Sequence, residues 1–159
     1  MSADANSATG LKTGRDGSRR WLLIFALSAT VFSVLHHVDH VTRATHSGWP
    51  FQAEVTPFTF SLLIYALILP ATYLTARGRD VAGYHLFVAV MGLALLGFVH
   101  FAPTSELESP IHDIYMVYES PIAGMLALMI LTSLITSVTL LAIAAFIKLL
   151  RRTQAKEGD

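Results

Sequence analysis

Cysteine is absent from all 159 residues. This rules out disulfides, thiolate metal sites and thiol nucleophiles. Charge is scarce as well: only 14% of residues are Asp, Glu, Lys or Arg, against 53% hydrophobic. A soluble domain normally carries about a quarter charged residues. Eleven basic and eleven acidic residues cancel, so no global field points to nucleic acid. Several catalytic signatures are missing. There is no H-E-x-x-H, no G-x-S-x-G and no Walker A, which argues against zincin proteases, α/β-hydrolases and P-loop enzymes. Without C-x-x-C-H, covalent haem attachment is excluded.

Long apolar runs are what the chain does have. Four stretches carry no Asp, Glu, Lys or Arg: Trp21 to Val38, Phe58 to Ala76, Tyr84 to Phe101, and Pro121 to Ile147. Each approaches or exceeds the roughly 18–20 residues that cross a hydrocarbon core of about 30 Å. Backbone groups in lipid must be satisfied within the segment, so the runs are read as helices. The expected fold is an all-α integral membrane protein, a four-transmembrane-helix bundle. Its spans are about 21–41, 57–76, 83–101 and 121–148, within a domain covering 19–151. Residues 1–18, rich in Ser, Ala, Gly, Thr and Asp, read as a disordered tail, and 152–159 as a second polar tail. Thr56-Pro57 looks like an N-cap and first helical position. Ser109-Pro110 predicts a short interfacial helix before the last span, to about Tyr118. Thr132/Thr136 and Ser133/Ser137 form small-xxx-small pairs suited to close helix contact. Pro70 is expected to kink the second span.

Basic residues set the expected orientation. Lys12, Arg15, Arg19 and Arg20 precede the first span, Arg77 and Arg79 follow the second, and Lys148, Arg151, Arg152 and Lys156 follow the fourth. The other two loops hold only Arg43. The positive-inside rule then makes both termini cytoplasmic. A bacterial plasma membrane is the expected location, with the lipid bilayer as surroundings and a homo-oligomer or membrane complex as possible assemblies. "SRRWLL" shares the twin arginine of an export signal, but no A-x-A cleavage site precedes the histidines.

This orientation sorts the histidines. Six of the seven (His36, His37, His40, His46, His100 and His112) fall at the outer face, with six of the eleven acids. His36, Asp39, His40 and Arg43 share about a 100° arc of one helix, and His37 points elsewhere. Ser33 and Ala29 continue that arc as a packing face. His at i and i+4 is a spacing by which one helix offers two imidazoles to a metal. The expected ligands are His36, His40 and His100, with His112 as a fourth candidate and Asp39 and Glu119 as orienting or coordinating carboxylates. Zinc, copper, iron or nickel suits such a set. A haem b held between facing helices is the other option. "HHVDH" resembles in part the histidine boxes of membrane desaturases and hydroxylases. Those families use more histidines, on the cytoplasmic side, and the chain departs from them on both counts. The four-span outline is shared with membrane b-type cytochromes, in architecture only.

The functional expectation is therefore a small membrane protein binding a transition metal or haem, in redox or metal handling. The alternatives are a non-enzymatic subunit or pH-responsive sensor, and a metal-dependent membrane hydrolase with Glu106 or Glu108 as base. His85, near the cytoplasmic side, reads as an interfacial hydrogen-bonder, and His37 and His46 as surface residues.

Overall fold

The computed structural model describes residues 4–43, 49–102 and 109–157, with side chains from Gly17 to Ala155. The chain is all-helical, and no strand occurs among the described residues. Helix α1 runs Asp4–Thr42, α2 Pro57–Ser61, α3 Leu63–Ala76, α4 Ala82–Phe101 and α5 Pro121–Glu157. Four segments are long and apolar enough to cross a membrane: Gly17–Thr42, Pro57–Ala76, Ala82–Phe101 and Pro121–Ala155. Helix α1 includes most of the segment whose composition suggested a tail. Helix α5 likewise runs on through Arg, Gln, Ala, Lys and Glu, all good helix formers.

Sequence chemistry explains the helix ends. Thr56 caps α2 as expected. Its side chain accepts from the Thr59 N–H, while Thr59 Oγ1 accepts from the Thr56 N–H, and Pro57 follows at the first position. The second span breaks at Leu62, where the cap N–H donates to Phe60 O. Pro70 lies inside α3. Gly78, at φ +77°, ends α3 in the left-handed region that favours glycine. The expected short helix before the last span is a single π-helical turn, Pro110–Tyr115.

Helices α1 and α5 each bury one repeating stripe. On α1 it is Leu22, Ala26, Ala29, Ser33, His36, His40 and Arg43. On α5 it is Gly124, Ala127, Leu131, Leu134, Val138, Leu141 and Ala145. Steps of three and four alternate without exception, the 3.5-residue repeat of left-handed helix packing. Lipid removes the hydrophobic drive between helices, so close packing must hold them. Small residues supply it: Ala26, Ala29, Ala71, Ala82, Ala89, Ala127 and Ala145 are all at most 3% exposed. Ser137 is buried near this seam, but Thr132 and Thr136 are exposed. Only the Ser133/Ser137 pair therefore lies near the interface, because Thr132 and Thr136 fall on the opposite arc of α5.

The outer surface is apolar. Leu27, Val31, Phe87, Phe98, Met129 and Phe146 are each more than half exposed. Water would penalise such a surface, and lipid does not.

Helix α1 packs mainly on α5, α5 on α4, and α1 more lightly on α3. Successive spans run up and down. Asp80, after α3, meets Lys148 of α5 at 3.1 Å, and Thr42, ending α1, meets Tyr118, just before α5, at 3.0 Å. The bundle thus has an arginine- and lysine-rich end and a histidine end. Gly124 lets the two parts of the histidine end meet: a Cβ there would stand 2.6 Å from Tyr115 O and 2.7 Å from its ring.

Candidate metal centre

The packing stripe explains why polar groups face inward. His36 and His40 take consecutive seam positions on α1, where Leu22 and Ala26 sit two turns and more below. His100 takes the last seam position of α4. All three are at most 5% exposed. Their ring nitrogens meet: His36 Nε2 lies 3.2 Å from His100 Nε2 and 3.2 Å from His40 Nε2. One ligand atom from each of the three falls within 4.8 Å of the others.

This convergence has a chemical meaning. A neutral imidazole nitrogen carries either one proton or one lone pair, in the ring plane. His36 Nε2 therefore cannot satisfy two neighbouring nitrogens at 3.2 Å at once. A cation among three lone pairs satisfies all of them. Nitrogens about 2.0–2.1 Å from a tetrahedral zinc stand about 3.3 Å apart, close to the two 3.2 Å separations around His36 Nε2. Aromatic rings wall the site: Trp49 lies parallel to His40 at 6.2 Å, and Phe58 meets it edge-on at 5.6 Å. His36 Nδ1 is buried with no hydrogen-bond partner among the described residues. A metal-bound histidine usually has such a partner, so packing alone orients this ring.

The other expected ligands are not drawn in. Asp39 is buried on the same helix, but its carboxylate is already engaged. Arg43 Nε donates to Oδ2 at 2.8 Å, and the Tyr118 hydroxyl donates to Oδ1 at 2.5 Å. Arg43 Nη1 also donates to the Asp113 carbonyl at 2.6 Å. Asp39 and Arg43 thus clamp the π-turn onto α1. Burial and the bond to Asp39 raise the Tyr118 pKa above its ordinary value. His112 and Glu119 are exposed at the surface, outside the triad. His46, Glu106 and Glu108 lie outside the described residues.

His37 departs from its expected surface role. It is half-buried, with Nε2 2.7 Å from Ser61 Oγ and Nδ1 2.9 Å from the Tyr65 hydroxyl and 2.7 Å from the Ser33 carbonyl. The break at Leu62 puts Ser61 and Tyr65 beside α1. No local motif announced this, since it depends on how α2 and α3 dock. His85, expected at an interface, is fully buried. Its Nε2 lies 2.7 Å from Thr75 Oγ1, whose proton goes to Ala71 O, so the imidazole donates.

A cavity of about 80 Å³ runs from the triad along the bundle axis. His36, His37, His40 and His100 border one end, and Ile68, Gly92, Leu96, Val138 and Leu141 line the rest. Comparison with protein-family models, with curated proteins and with solved structures finds no match to this chain.

Proposed function

We propose that this protein binds one transition-metal ion through His36, His40 and His100, at the outer end of a four-span bundle, and serves in redox or metal handling. The observation that supports it is the approach of three buried imidazole nitrogens to distances that suit a shared cation better than one another. Zinc, copper and iron all suit three imidazoles, with copper(II) expected to bind most tightly of the divalent series. A haem fits less well. Its two axial imidazoles approach iron from opposite faces of a macrocycle, and three converging nitrogens leave no gap for one. Metal analysis after purification in mild detergent tests the reading. Stoichiometric metal in the native chain, lost in His36→Ala/His40→Ala, supports it. Equal metal in both sinks it.

The orientation belongs to the same proposal: both termini cytoplasmic, in a bacterial plasma membrane. The cysteine-free chain is a ready background for a test. Glu54→Cys should react with an impermeant thiol reagent from outside intact cells, and Arg79→Cys should not.

A second reading, metal-dependent hydrolysis near the membrane surface, draws on the 2.7 Å contact between Ser61 Oγ and His37 Nε2 at the cavity wall. It requires an ester-lipid turnover that both Ser61→Ala and His100→Ala abolish.

A further inference from the structure

The three-histidine centre offers an ion no negative charge. Imidazoles coordinate as neutral donors. Asp39 is the one buried acid among the described residues. Its charge is balanced by Arg43, and Tyr118 holds its other oxygen. No anionic donor is therefore left for an ion at His36, His40 and His100. His36 Nδ1 has no hydrogen-bond partner among the described residues, so no carboxylate raises the basicity of that ligand either. The cost of desolvating an ion rises with the square of its charge. A divalent ion thus loses about four times what a monovalent one does on burial. Of the metals that suit imidazole, copper is the one with a stable monovalent ion. Copper(I) also accepts three donors alone, whereas zinc completes its tetrahedron with water or substrate.

Beside this centre lies a small apolar space. About 10–15 Å³ is enough for one water-sized molecule, and the axial cavity measures about 80 Å³. It has room for a molecule of a few atoms. Water there would need two to four polar partners. Past the histidines, Val88, Leu96, Val99 and Val138 line the space. The hydroxyl protons at its edge are committed: Thr30 Oγ1 donates to Ala26 O at 2.8 Å, and Ser61 Oγ donates to Phe58 O at 2.7 Å. Apolar cavities of this kind take up small neutral molecules instead.

We propose that the three-histidine centre holds copper as the monovalent ion and offers its open side, across this cavity, to a neutral diatomic gas that binds by its lone pair, as carbon monoxide does. The proposal rests on the metal reading above and names the ion and the ligand class of that site. Binding is simple addition. The gas donates its lone pair to copper(I), the filled d shell returns electron density, no bond breaks and the oxidation state is unchanged. A neutral ligand needs no polar partner from the cavity wall, as an anion or a water would. Such a gas also dissolves in the hydrocarbon around the bundle, so it needs no polar path. Leu96 lies one turn below His100 on the same face of α4 and lines the cavity, so its size sets the room beside the ion.

The test supplies copper(I) anaerobically, as its acetonitrile complex, to the full chain in maltoside micelles. Copper(I) should bind one-to-one, resist about a tenfold excess of zinc(II), and be lost in His36→Ala/His40→Ala. Carbon monoxide should then give one infrared C–O band, shifted by carbon-13 substitution and absent from the double variant. Tert-butyl isocyanide presents the same donor carbon on a bulky group, and should need at least about tenfold higher concentration. Leu96→Phe should retain copper but need at least about tenfold more carbon monoxide, and Leu96→Ala should keep both. If neither copper(I) nor zinc(II) binds the native chain, the metal reading and this proposal both fall. If zinc binds and copper(I) does not, only this proposal falls. It falls alone, too, if copper(I) binds and carbon monoxide gives no band. If the isocyanide matches carbon monoxide, the cavity does not select for size and its role as a gas site is overturned, whether or not the Leu96 variants fold.

Discussion

Two buried histidines of α4 make a natural control for each other. His85 and His100 occupy the same packing stripe at opposite ends of one helix, and both are at most 4% exposed. His85 faces a threonine hydroxyl at 2.7 Å. That pair is a donor with an acceptor. His100 faces another imidazole at 3.2 Å, which itself faces a third. Burial is common to both, so burial does not mark a ligand. What marks it is the partner: hydroxyl at one end, competing lone pairs at the other.

The largest effect should separate these two ends directly. His100→Ala should remove bound metal, as measured by elemental analysis, while His85→Ala should keep it in full. Equal loss in both would break the contrast and indicate a folding defect instead.

The ion pairs provide the next comparison. Arg43 at the histidine end is 2% exposed, and Arg43→Met strands the Asp39 carboxylate in a buried site. Removing one partner of a buried pair costs about 3–5 kcal/mol, and unfolding in mixed detergent should show a loss on that scale. Asp80 at the other end pairs with Lys148 and Arg152 but is 41% exposed. Asp80→Asn should cost no more than about 1 kcal/mol. Similar losses for the two variants would remove the distinction between the ends.

Gly124 sharpens the same point through packing. Gly124→Ala places a methyl against the Tyr115 backbone and should destabilise by about 1–3 kcal/mol. The readout is faster proteolysis at the π-turn, with bound metal retained.

The smallest effect is a pH dependence. Burial of Asp80 would by itself raise its pKa. The hydrogen bond and charge of Lys148, aided by the Ala82 N–H and Arg152, overcome that and leave it below the ordinary value. A depressed carboxylate contributes stability above its unfolded pKa of about 3.9, and loses it as pH falls through the folded value. The difference between native protein and Asp80→Asn should therefore be constant from pH 5 to 8 and vanish only in more acid solution. A difference that changed near pH 6 would point to histidine instead.

Particular residues show how much was legible beforehand. The Thr56-Pro57 cap was read correctly because capping is local: side chain and backbone partner lie three residues apart. The inward arc of His36 and His40 was legible for a similar reason, since helical spacing places both on one face with Ser33 and Ala29. Thr132 and Thr136 were read less well, because small-residue spacing marks a candidate contact without saying whether a partner helix covers it.

By itself, the sequence determined the four long apolar helices and the gathering of histidines at one end. Each follows from local rules: hydrocarbon thickness, backbone hydrogen bonding in lipid, and position relative to a span. Only the tertiary structure decided that His100 joins His36 and His40 while His112 and Glu119 stay outside, that Asp39 is spent on Arg43 and Tyr118, and that His37 turns to Ser61. Those outcomes depend on which helices adjoin and at what rotation. Side-chain packing across α1, α4 and α5 sets both, and no single segment contains that information.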